Sequence, residues 1–146
     1  MVCTFFGHRE CYDLDVSTLK KAIEELIVQG VTTFYVGNQG HFDNLVLTSL
    51  KKLKTIYTHI SFAVVLAYLP AQKVEQSPYQ EHSIYPEGLE NCPPRFAIER
   101  RNKWMIEQSN FCLCYVNHTW GGAYAFVKKA KTKGLVIHNL GSIEWS

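Results

Sequence analysis

This chain has no long apolar run, no marked excess of one charge and no closely paired metal-ligand motif, and each absence removes a class of function. Its apolar stretches fall well short of the ~20 residues that a bilayer-spanning helix needs. Met1 leads directly into Val2-Cys3-Thr4-Phe5-Phe6, without a basic n-region or small-residue cleavage site, so a secretory leader is not expected. Lysine and arginine number 15 against 13 acidic residues, a net charge of +2 spread along the chain. That balance is too mild to single out nucleic acid as a partner. The 5 cysteines are odd in number and none forms a C-x-x-C pair, so neither a disulfide framework nor a zinc or thioredoxin site is expected. A soluble protein of the reducing cytoplasm, with no membrane contact, is the expectation.

Catalytic signatures are equally scarce. The sequence contains no G-x-S-x-G elbow, no H-E-x-x-H and no G-x-x-x-x-G-K-[ST], and its glycine turns do not fit G-x-G-x-x-G. No clustered carboxylates stand near a glycine turn apart from Asp43. His8, His41 and His118 could meet and bind a metal, but hydrogen bonding or turn capping is the commoner use of such histidines, so no metal and no cofactor is expected.

What is present is ordinary globular material: 146 residues, 47% hydrophobic and 19% charged, the size of a single domain over 1–146. A chain of this size buries roughly 70% of the surface its unfolded form exposes. Aromatic residues, at 13%, are the one elevated class.

Short apolar runs alternate with segments of helical period. Strands are predicted over Val2–Phe6, Val31–Val36, Ile60–Leu66, Phe111–Val116 and Leu135–Asn139. Between them, Leu19, Ile23, Leu26 and Ile27 form a one-sided stripe ended by Gly30, and Phe42, Leu45, Val46, Leu50 and Leu53 form a second. A third helix runs from Pro94 to about Gln108, and a basic one from Ala123 to Lys133. The stretch Pro70–Pro94 holds all 5 prolines and reads as a long loop. Cys112 and Cys114 alternate on one face of a strand and belong to the core. Strands apolar on both faces, alternating with helices, predict an α/β fold: a single Rossmann-like three-layer α/β/α sandwich with right-handed crossovers and a mainly parallel sheet of about five strands.

In such a sheet every strand C-terminus lies along one edge, where ligands bind. Gly7-His8-Arg9 follows the first strand, Gly37-Asn38-Gln39-Gly40-His41-Phe42-Asp43 the second, Tyr68 the third, His118-Thr119-Trp120-Gly121-Gly122 the fourth and Asn139-Leu140-Gly141-Ser142 the fifth. Two of these turns carry glycines and open into helices, whose free N–H groups and positive dipole ends favour an anion. Either turn alone is only how strands join helices; together with Arg9 and two histidines they point to an anionic ligand. The third helix carries four cations between Arg95 and Lys103. Arg100 and Lys103 read as a solvated face, whereas Arg101-Asn102 is the candidate for the site, with Arg101 sharing a face with Met105.

Five separated segments carry a family likeness: Gly37-x-Gln39-Gly40-x-Phe42-Asp43, Val64-Val65-Leu66-Ala67-Tyr68-Leu69-Pro70, Tyr85-Pro86-Glu87-Gly88-Leu89-Glu90, Arg101-Asn102-Lys103-Trp104-Met105 and Gly121-Gly122-Ala123. In order and spacing, from Gly7 to about Gly141, they resemble the YpsA-like family of the SLOG superfamily, named for DprA and the LOG cytokinin-activating hydrolases. The resemblance implies a Rossmann-like fold that binds nucleotides or nucleotide-derived ligands, in some members ADP-ribose-type or cyclic signals of bacterial anti-phage systems. The LOG branch, which cleaves nucleoside monophosphates, uses an arginine four residues before a methionine and then P-G-G-x-G-T-x-x-E. Arg101, Met105, Gly121 and Gly122 match, but Trp120 replaces the proline, Tyr124 and Ala125 replace glycine and threonine, and Lys128 replaces the catalytic glutamate. An ammonium there would oppose an oxocarbenium-like transition state, which argues against LOG-type hydrolysis.

The leading expectation is therefore a bacterial or phage protein that binds a small nucleotide-type ligand and serves as sensor, carrier or sponge. In it Gly7, His8, Gly37, Asn38, Gln39, Gly40, Phe42, His118, Gly121 and Gly122 form the cradle. Arg9, Arg101 and Asn102 supply polar contacts, and Asp43 caps the second helix or accepts from a ribose hydroxyl. Tyr68, Tyr85 and Trp120 stack on a base. Two alternatives stand beside it: a hydrolase of such a ligand using Asp43 or Glu87, and a protein-interaction regulator with a vestigial pocket. DNA binding has the least support, and the exposed aromatics suit a homo-oligomeric contact. The aromatic excess divides into a phenylalanine core (Phe5, Phe6, Phe34, Phe62, Phe111) and a rim of Tyr68, Tyr79, Tyr85, Trp120 and Tyr124 around the pocket.

Overall fold

The computed structural model describes residues 1–68 and 83–145. Tyr79 of the expected rim, Leu69 and Pro70 of the family motif, and much of the proline-rich loop lie outside the described residues. Six strands form one sheet, every pairing parallel, in the order β4-β3-β2-β1-β5-β6. They are β1 (Val2–Gly7), β2 (Thr33–Val36), β3 (Ser61–Val65), β4 (Ser83–Ile84), β5 (Phe111–Tyr115) and β6 (Val136–Asn139). The helices are α1 (Val16–Val28), α2 (His41–Ile56), α3 (Ala97–Glu107) and α4 (Gly122–Thr132).

The α/β sandwich is as the alternation predicts, with one strand more. β4 is two residues long, too short for any periodicity, and it adds to the outer edge of β3 from within the segment read as loop. Pro94 begins a short 3-10 turn, Pro94–Phe96, rather than the α-helix itself, which starts at Ala97.

Asp15 starts α1 by accepting the Ser17 N–H at 3.2 Å. The stripe Leu19, Ile23, Leu26 and Ile27 is buried against one face of the sheet, where α1 and α2 pack with Phe5, Phe34, Phe42 and Phe62. The opposite face carries α3 and α4 over Phe6, Val65, Met105, Val116 and Val127, and Cys112 and Cys114 lie buried within that core. All five cysteines are free thiols. Among the described residues, no helix is long and apolar enough to cross a membrane.

The chain lays β1 to β4 outward in one direction and then returns, placing β5 on the other side of β1. The change of direction leaves a crevice at the C-terminal ends of β1 and β5, the place where an open parallel sheet takes a ligand.

Candidate functional site

A cleft of about 580 Å³ lies at that switch point. Its walls bring together Gly7, His8 and Arg9 after β1, Gly37, Gln39 and Asp43 around the start of α2, Arg101 and Asn102 on α3, and His118, Trp120, Gly121 and Gly122 before and at the start of α4. Residues separated by over a hundred positions thus share one hollow, and most of the sequence-predicted site is among them.

The two helix starts differ. At α2 the first helical donor is used, the Arg9 carbonyl accepting the His41 N–H at 2.8 Å, and just before the helix the Asp43 carboxylate accepts the Gln39 N–H at 2.8 Å. Asp43, the third residue of α2, reaches back past the N-cap Gly40, which no side chain caps, to hold the turn at Gln39. Gly40 has φ of +93° and a Cβ there would lie 2.8 Å from the Arg9 Cα, so the turn needs glycine. At α4 no side chain caps Gly121 either, and here Gly122 and Ala123 line the cleft with helix-start N–H groups that have no intrahelical acceptor.

Beneath the turn lies a buried polar cluster. Arg101 is 2% exposed, and its guanidinium donates to Asn102 Oδ1 at 2.6 Å, Val65 O at 3.0 Å and Asn38 Oδ1 at 3.4 Å. Gly37 packs against it: an added Cβ would stand 3.0 Å from both Arg101 Nη1 and Asp43 Oδ2. Burial pushes the Asp43 carboxyl up to about 6, while the Gln39 N–H and the Arg101 cation pull the other way. Burial likewise lowers the Arg101 guanidinium, against the pull of Asp43. Arg100 and Lys103 are exposed, as a solvated face requires.

His8, His118 and Trp120 form a column of rings, with centroids 4.0 Å and 3.7 Å apart and interplanar angles of 19° and 13°. His8 Nε2 accepts the Asn117 N–H at 3.0 Å, and His118 Nδ1 donates to the Trp120 carbonyl at 2.8 Å. His41 is not part of this group: its ring lies tilted against Tyr12, and its Nδ1 lies 3.5 Å from Cys11 Sγ. Among the described residues no group of three histidine, cysteine or acidic side chains could hold a metal ion.

Other expected residues sit elsewhere. Phe42 stands under Gly7, and Tyr85 packs against the core on the α1–α2 side. Tyr68 donates its hydroxyl to the Pro94 carbonyl at 2.9 Å, and the Tyr124 ring lies tilted against Trp145, centroids 5.3 Å apart. Glu87 lines a separate hollow with Trp104 and Lys103. Lys128 is exposed in a groove between α3 and α4 and does not line the cleft.

Two residues escaped the sequence reading. Asn117 holds His8 through its N–H, and its Oδ1 accepts the Ser142 N–H at 2.8 Å. Asn139 accepts from the Val116 and Gly141 N–H groups and donates to the Val116 and Ile143 carbonyls, tying β5 to the segment after β6. The only local signal for either was an asparagine at a strand's end. No protein-family model matches the chain, and no curated protein is similar enough to it to count as a relative.

Proposed function

We propose that this protein binds a nucleotide or nucleotide-derived ligand, of the ADP-ribose or cyclic-nucleotide kind, in the cleft between β1 and β5. The observation that carries this reading is the uncapped start of α4 beside an exposed, stacked indole. Backbone donors and a helix dipole favour a phosphate, and a flat aromatic face favours a base. The Rossmann-like fold and the family likeness of the glycine turns support the same ligand class. The protein acts as sensor, carrier or sponge in a bacterial or phage cell, in the manner of SLOG-type signalling.

Thermal-shift titration with AMP, ADP, ADP-ribose and cyclic dinucleotides tests it. At least one ligand is expected to stabilise the protein saturably, and Trp120→Ala is expected to remove that effect. Stabilisation by none of them would favour a protein-interaction regulator with a vestigial pocket.

A second reading, hydrolysis, is favoured by one observation: Asp43 lines the cleft with its ionisation raised to about 6, the range of a general acid–base group. Against it, one Asp43 oxygen is committed to Gln39. Mass-resolved chromatography after incubation is expected to return the ligand intact. Turnover that disappears in Asp43→Asn would establish the hydrolase instead.

A further inference from the structure

The ring column is fixed at both ends. At the inner end His8 Nε2 is an acceptor, for the Asn117 N–H at 3.0 Å. At the outer end His118 Nδ1 is a donor, to the Trp120 carbonyl at 2.8 Å, and the indole beyond it is 69% exposed.

The two imidazoles therefore meet a proton differently. A second proton on His118 leaves its Nδ1–H bond intact, since both nitrogens of an imidazolium donate. It also places a cation between two ring faces, one of them an indole. A proton on His8 Nε2 turns an acceptor into a donor that faces the Asn117 N–H, and that bond is lost. The new charge also lies in a ring 4.0 Å from His118. Tyr115 sets its ring at 78° to the His8 ring, and its carbonyl accepts the His8 backbone N–H at 3.3 Å, so neither contact brings a charge to the imidazole. Among the charged groups of the same cleft, Arg9 and Arg101 oppose a cation and Glu10 favours one, while Asp43 favours it only above about pH 6, where its carboxyl is ionised. Burial and the neighbouring His118 both lower the His8 pKa, in agreement with the geometry.

We infer that His8 is a positioning residue, whose neutral ring holds the His118–Trp120 stack in place, and that protonating it releases Trp120. Resting on the ligand class proposed above, this makes the cleft's grip on a flat base weaken in acid.

The test uses the full chain labelled with 5-fluorotryptophan, the Trp120 fluorine resonance being assigned with Trp120→Phe. Between about pH 8 and about pH 5, the range of imidazole titration, the clamped Trp120 line is expected to narrow to that of a mobile indole. His8→Phe keeps a ring but takes no proton, and His8→Gln keeps an acceptor for Asn117 but takes no proton. Both are expected to lose the acid transition. A transition that persists in either folded variant, or its absence from the unsubstituted protein, overturns the inference. AMP affinity measured over the same range should fall several-fold in acid in the unsubstituted protein. Should AMP bind at no pH while the Trp120 line behaves as stated, the nucleotide reading falls and the role of His8 stands. Should AMP bind while the line ignores His8, the reverse holds.

Discussion

The Phe42 ring, carried on α2, lies against the Cα of Gly7 so closely that a Cβ on Gly7 would overlap the ring itself. Phe42 is 1% exposed and cannot swing away without leaving the core. Gly7→Ala is therefore expected to cost about 1–3 kcal/mol in chemical denaturation, as overpacking does. Phe42→Leu in the same chain should recover part of that loss. The coupling between the two, read from a double-mutant cycle, checks the contact.

Asp43 carries a pH dependence whose sign follows from burial. Its carboxyl titrates near 3.8 in an unfolded chain and at about 6 in the fold, so the uncharged acid is the form the fold prefers. As pH rises from 3.8 the unfolded chain gives up its proton first, and stability falls until both states are ionised above about 6. Asp43→Asn keeps an oxygen for the Gln39 N–H and removes the charge. It is expected to raise stability at neutral pH by on the order of 1–3 kcal/mol and to flatten the profile across that window, as denaturation at a series of pH values would show.

Gly122→Pro separates the phosphate-binding role proposed for the α4 start from its structural one. Gly122 is the first helical residue, where proline is well tolerated, and a Cβ there meets nothing within 4 Å. The substitution removes one N–H from the cleft and little else. Thermal stability without ligand is expected to stay close to the parent, while affinity for a phosphate-bearing nucleotide falls about tenfold or more, the size of one charge-assisted hydrogen bond. Calorimetric titration measures the second effect and a melting curve the first.

Asn139→Leu should be costly although the residue is far from any expected chemistry. Its side chain makes hydrogen bonds to Val116, Gly141 and Ile143, and a leucine would leave those backbone groups without their partner. A loss of about 2–4 kcal/mol is expected, visible as a lower melting temperature. Because Gly141 crowds Val116 and Asn117, the loop bearing His118 should also loosen, detectable as faster amide exchange there.

The strands were legible because parallel strands covered on both faces read as short apolar runs, and Val2–Gly7, Phe111–Tyr115 and Val136–Asn139 lie where those runs fall. β4 was not, because a two-residue edge strand among prolines carries no period of its own. At the site, the glycine turns and Arg101 were legible from spacing, and so was the place of Asp43 at a helix start, though it holds the Gln39 N–H before the helix rather than capping it. The depth of Arg101 was not: the spacing to Met105 told Arg101 from the solvated Arg100, but not that its guanidinium lies buried under Gly37 beside Asp43. Nor was the ring column: its anchor joins His8 to Asn117 across 109 positions, and contact at that range leaves no local pattern. The tyrosines followed the strands in sequence as Trp120 does, yet Tyr85 and Tyr124 are held by the core and by Trp145.

The strand order also sets when the cleft can exist. β1 pairs with β2 and β5, and the Val2 N–H finds Asn110 Oδ1 across 108 positions. As a ribosome releases the chain, β1 to β4 and the helices between them emerge first and can pack against each other. One wall of the cleft is then in place and faces water, with β1 a bare edge. Only after β5 and α4 have left the exit tunnel does the opposite wall arrive. A chain cut short before Phe111 would keep the Gly37 turn yet offer no such cleft, because one of its two walls would be missing.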